Sequence, residues 1–93
     1  MSAIPQDKLA RLIQRFATVE HGLSSGASGE EFVKLSKEYA ELEPTARAAQ
    51  ALTAAYRERA EADEMIAAGG DLAEMAEAEK QALAERIPDM EQA

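Results

Sequence analysis

The sequence predicts an all-α protein of four helices, two shorter amino-terminal ones packed on a long antiparallel helical hairpin, in a single domain spanning residues 1–93. Three observations carry this expectation. Alanine, glutamate, leucine and arginine are prominent in a chain with 30% charged residues, a composition of helices rather than sheets. Apolar residues recur at the three- and four-residue spacings that place them on one helix face. Glycine and proline fall between these periodic stretches, where helices start and stop. Aromatic residues make up only 4% and tryptophan is absent, so the core must be aliphatic and alanine-rich. A chain this short buries roughly 60–65% of its extended-chain surface, which limits it to a modest core.

The first helix is expected to begin near Pro5, since proline is tolerated in a first helical turn. Leu9, Leu12, Ile13, Phe16, Val19 and Leu23 trace its apolar stripe, and Asp7 and Arg11 form an i,i+4 pair in the favoured order. The small residues from Gly22 to Gly29 end it. Ser28 followed by Glu31 has the spacing of a capping box for a second helix. That helix carries Phe32, Leu35, Tyr39 and Leu42 on one face, with Lys34, Lys37, Glu38 and Glu41 away from it. Pro44 disfavours helical geometry at Glu43 and suits the first turn of a new helix, so a tight corner is expected there.

A third, alanine-rich helix follows from about Pro44 to Ala68, with Ala48, Leu52, Ala55, Tyr56, Arg59, Asp63 and Ile66 as its inward positions. Gly69-Gly70 closes it in the left-handed conformation common at helix ends. Asp71 and Glu74 give the start signal of a fourth helix. Leu72, Met75, Leu83, Ile87 and Met90 supply its face, with Ala76 and Ala82 between them, and Pro88 should kink or end it. The pattern is cut off at Ala93 without a glycine cap or a basic last turn, as at the edge of a larger protein.

Net charge is −8, and it is unevenly placed: residues 1–56 carry six basic and seven acidic groups, residues 57–93 four basic and eleven acidic. Sequence-independent nucleic-acid binding needs a basic face, so direct nucleic-acid binding is not expected; docking on a basic protein is compatible. With no cysteine there is neither a disulfide framework nor a thiolate metal site. No segment has signal-peptide character or approaches the ~20 apolar residues of a membrane span. The expectation is a soluble, cytoplasmic chain without a membrane partner.

Residues able to carry chemistry are few. His21 is the only histidine and lies at a helix end, where interaction with terminal carbonyls is the simpler role. The clusters Glu58, Glu61, Asp63, Glu64 and Glu74, Glu77, Glu79 lack the Glu-x-x-His motif of a di-metal bundle and read as a solvated face. Gly69-Gly70-Asp71 has no phosphate-loop pattern around it. Met65, Met75 and Met90 border apolar stripes as core or interface filler. No catalytic, cofactor-binding or metal-binding residue is assigned, no cofactor is expected, and the interaction surface is left unknown. The residues alone describe a small acidic helical interaction module.

The segment from Phe32 to Pro44, above all Leu35-Ser36-Lys37-Glu38-Tyr39 with Leu42 following, resembles the amino-terminal domain of bacterial class I peptide chain release factors, most closely the release factor 1 branch. The amphipathic helix with Leu9, Leu12 and Phe16 precedes it at the expected place. Glu61-Ala62-Asp63-Glu64-Met65-Ile66 and Leu72-Ala73-Glu74-Met75-Ala76-Glu77-Ala78-Glu79 look like the family's third helix and the start of its fourth. The resemblance covers essentially the whole chain. It implies a role in translation termination at UAA and UAG, as a non-enzymatic module that docks the factor on the ribosome at the base of the large-subunit stalk. The family's Pro-x-Thr and Gly-Gly-Gln motifs are not here: Pro44-Thr45 lacks the spacing, and Gly69-Gly70 is followed by Asp71. This implies a fragment lacking the codon-reading and peptidyl-tRNA hydrolysis domains. The competing expectation is a complete small helical adaptor or antitoxin-like protein, binding one partner through helices three and four.

Overall fold

The computed structural model describes residues 4–92. They form three α-helices, α1 (Gln6–Ser24), α2 (Gly29–Ala68) and α3 (Ala73–Gln92), and no strand. The all-α expectation holds, whereas the division into four helices is corrected: Pro44 lies inside α2, which runs unbroken for 40 residues.

Proline in a helix interior removes one backbone hydrogen bond and crowds the carbonyl four residues earlier, a cost of about 3 kcal/mol. Packing on both sides of Pro44 opposes that cost. Tyr39 and Leu42 are half-buried before it, and Ala46 and Ala49 are buried after it. Side chains also bridge the proline. Tyr39 Oη donates to Glu43 Oε2 at 3.3 Å, and Arg47 Nη2 donates to Tyr39 Oη at 3.5 Å and pairs with Glu43 Oε2 at 3.6 Å. Residues at i, i+4 and i+8 meet in this way only when the helix continues. Pro88 likewise does not end α3, which reaches Gln92 with Ile87 buried and Met90 half-buried.

The chain divides into two compact units, one of Pro5–Gln50 and one of Ala51 onward together with Ile4. In the first, α1 pairs antiparallel with the early part of α2. Pro5 caps α1, its carbonyl accepting from the Lys8 and Leu9 N–H groups at 3.1 and 3.3 Å. Leu9, Phe16 and Val19 are buried on the expected stripe. Phe16 is fully buried and stacks on Tyr39, with ring centroids 4.9 Å apart. The Arg47 guanidinium lies 5.1 Å from the Phe16 ring centre, a cation–π contact. Gly22 permits a close approach: a Cβ there would fall 2.9 Å from Leu35 Cδ1. The helix continues past Gly22 to Ser24, and the Ser25 N–H closes it on the His21 carbonyl at 2.9 Å.

The expected capping box does not open α2. Its first turn is tied by the Phe32 N–H to the Ser28 carbonyl at 3.4 Å, and Gly29 sits at φ +62° between Ser28 and the helix. A side-chain cap needs helical geometry directly after the capping residue, and the left-handed glycine removes it.

In the second unit, the later part of α2 pairs antiparallel with α3. Leu52, Ala55, Tyr56 and Ala62 are buried from α2, and Ala76, Leu83 and Ile87 from α3. Lys80 Nζ meets Asp63 Oδ1 at 2.6 Å, Arg86 Nη2 meets Glu58 Oε1 at 3.5 Å, and Tyr56 Oη donates to Glu91 Oε2, a ladder that fixes the antiparallel register. Gly69 and Gly70 have φ of +74° and +83°, and the Gly69 N–H reaches the Ile66 carbonyl at 3.1 Å, as the Gly-Gly pattern requires. Helix α3 starts later than expected, at Ala73, through a backbone bond from the Ala73 N–H to the Gly70 carbonyl at 3.3 Å.

Several expected inward positions face solvent instead. Ala48 is exposed while Ala46 and Ala49 are buried, Asp63 is exposed in its ion pair, and Ala82, Leu72 and Met75 are exposed. The phase of α3 is set by Ala76, Leu83 and Ile87, and a neighbour one residue away points about 100° from that line.

Replacing Pro44 by alanine restores a helical N–H inside a helix that already exists. Pro44→Ala should raise unfolding free energy by about 2 kcal/mol, the interior-proline cost less the entropy that proline removes from the unfolded chain. Urea denaturation checks this; an unchanged or lower midpoint would mean that the helix is broken at Glu43.

Candidate interaction surfaces

Two places combine exposed apolar side chains with charge, and one surface ion pair has strong geometry. Arg15 donates to Glu38 through both Nε (2.7 Å to Oε2) and Nη2 (2.6 Å to Oε1), a two-pronged pairing. The Arg15 hydrogen bond holds the Glu38 carboxyl below its ordinary range; desolvation opposes this, and the charges of Arg15 and Lys34 add to the lowering. The pair belongs to the α1–α2 hairpin and fixes its register. In the other unit, burial pushes the Tyr56 phenol above its usual pKa, with the hydrogen bond to Glu91 and its charge adding. Arg59, 5.1 Å over the Tyr56 ring, opposes that rise.

The first exposed patch is at the start of α2, where Phe32 is 47% and Val33 66% exposed beside Lys34 and Lys37. The second is at the Gly69-Gly70 end of the α2–α3 pair. Met65 is 39%, Leu72 55% and Met75 69% exposed there. A groove of about 340 Å³ runs between the two helices, floored by Ala62, Met65, Met75 and Ala76 and edged by carboxylates.

The residues singled out for chemistry are not brought together. His21 is exposed in the last turn of α1, and its carbonyl accepts from Ser24 Oγ at 3.2 Å. Of the acidic clusters, Glu58 and Asp63 stand in ion pairs across the hairpin, and Glu61, Glu64, Glu74, Glu77 and Glu79 are exposed. Among the described residues no group of three or more His, Cys, Asp or Glu side chains is placed to hold a metal ion, and no helix is long and apolar enough to cross a membrane. The groove is not legible in the apolar pattern alone, because that pattern puts Leu72 and Met75 on one face with Leu83 and Ile87. The signal that finds it is the seven- and four-residue spacing of Ala76, Leu83 and Ile87, which leaves Met75 outside the stripe.

Residues 12–93 match the PCRF domain family. The chain belongs to that family. It is similar to peptide chain release factor 1 of Caulobacter vibrioides, 45% identical over 88 residues that make up 95% of this chain and 24% of that protein. The same-named proteins of Dinoroseobacter shibae and Erythrobacter litoralis are 40% and 39% identical over 97% and 95% of the chain, each covered to 25%. The chain thus spans about a quarter of the length of these relatives. No solved structure matches it significantly.

The Arg15–Glu38 pairing in this PCRF domain makes a pH-dependent prediction. A carboxyl whose pKa is lower folded than unfolded stabilises the fold above its unfolded pKa, and that contribution is lost as pH falls through the folded value. A ¹³C-detected NMR titration should place Glu38 below the ordinary glutamate value, and Arg15→Ala should move it upward. An unmoved Glu38 in the variant would show that the pair does not persist in solution.

Proposed function

We propose that this chain acts in translation termination, as the helical amino-terminal module of a peptide chain release factor that directs release at UAA and UAG. The observation that carries this reading is the PCRF match over residues 12–93, together with relatives of about 40–45% identity that bear the name peptide chain release factor 1. In this reading residues 1–93 are one helical domain of a longer cytoplasmic factor. Codon reading and peptidyl-tRNA hydrolysis belong to segments carrying Pro-x-Thr and Gly-Gly-Gln, neither of which occurs as such here. The module is not an enzyme and needs no cofactor; it works by contact, positioning the factor on the ribosome at the base of the large-subunit stalk. Its excess of acidic groups in residues 57–93 favours a protein surface over ribosomal RNA as the thing touched.

Two measurements test this. Sequencing the source locus beyond codon 93 should find an open frame running on for about three further lengths of this chain, with both motifs in it, as the coverage of the relatives implies; a stop codon directly after Ala93 would overturn the reading. Titration of the chain with the purified stalk-base ribosomal protein should give saturable binding. No specific shift at sub-millimolar concentration would remove the autonomous docking role and leave the family assignment standing.

A further inference from the structure

We infer that the groove at the Gly69-Gly70 end of the α2–α3 hairpin is a docking site for a cationic amphipathic helix. The inference goes beyond the termination reading and does not rest on it, because it follows from the hairpin's own surface.

The floor is apolar and open. Met65 and Met75 approach from the two helices over Ala62 and Ala76, and both methionines are exposed although large apolar side chains are scarce in this chain. Two small buried residues beneath two flexible thioethers form a shallow trough that adapts to the apolar side chain laid into it. At about 340 Å³ it has room for the apolar face of a helical turn, the mode in which an amphipathic helix lies in a groove.

Charge selects the occupant. Glu58, Glu61 and Glu79 edge the groove, and no basic residue lines it. Glu58 shares Arg86 at 3.5 Å, whereas among the described residues no cation lies within 4 Å of Glu61 or Glu79. An apolar trough edged by Glu61 and Glu79, neither of them in an ion pair among the described residues, fits a helix with apolar residues on one face and lysine or arginine flanking them. The same carboxylates disfavour a phosphate backbone.

The test uses the 93-residue chain and a fluorescein-labelled synthetic peptide of leucine and lysine, about fourteen residues or four turns long, with its leucines on one face. Two controls are a peptide of the same composition with the leucines scattered, and one with glutamate for lysine. The amphipathic cationic peptide should bind saturably, shift the Met65 and Met75 methyl resonances most, and weaken as salt rises. Met75→Ser should weaken it about tenfold, roughly 1.4 kcal/mol. Because Met75 is 69% exposed, that variant should keep the fold, which circular dichroism verifies. The charge arm is independent: Glu61→Gln with Glu79→Gln should weaken binding while leaving the apolar floor intact. Equal binding of the scattered-leucine peptide, shifts spread over the whole acidic surface, or indifference to Met75→Ser would overturn the inference. So would sedimentation showing that these methionines are covered by a second copy of the chain.

Discussion

The structure depends on α2 remaining one helix through Pro44. Both helix pairs draw a member from it: α1 packs on its early residues and α3 on its later ones. A corner at Glu43 would separate Tyr39 and Leu42 from Ala46 and Ala49 in phase, and would part Tyr39 and Glu43 from Arg47. Each exposed polar bond in that ladder is individually weak. What holds the helix is apolar burial on both sides of the proline, which outweighs one lost backbone bond.

The cores that result are small and differently made. Around α1, Phe16 is fully buried against Tyr39 and beneath the Arg47 guanidinium, with Leu9, Val19, Ala46 and Ala49 buried in the same unit. Around α3 the buried set is Leu52, Leu83 and Ile87 with alanines between, and Tyr56 anchors the far end through Glu91. Alanine allows close helix approach but contributes little buried area, so cross-hairpin ion pairs and short turns do more to set register than they would in a larger core.

Much of this was legible in the sequence. The stripe of Leu9, Phe16 and Val19, the start at Pro5 and the left-handed Gly69-Gly70 turn follow from local chemistry that the tertiary structure does not override. Pro44 reads as a corner in the sequence because the rule for proline is local, whereas the burial that overrides it comes from a helix elsewhere in the chain. The sequence does not separate Ala48, which is exposed, from the buried Ala46 and Ala49, because a run of alanines carries almost no amphipathic signal. For Met75 the sequence leaves core or interface open, because apolar character marks a residue only as able to be buried, and the phase set by Leu83 and Ile87 places it outside the core. The resemblance in Phe32–Pro44 points to the family that residues 12–93 match, although the helix containing it runs on to Ala68, beyond the corner the sequence suggests.

The most direct test of the account is backbone NMR across residues 38–50 of the intact chain. Unbroken helical Cα secondary shifts through Glu41, Glu43 and Thr45, with Arg47 and Ala49 amides protected from exchange, are the predicted result. A return of the shifts at Glu41–Glu43 to coil values, with fast exchange on both sides of Pro44, would contradict a single α2 and the packing built on it.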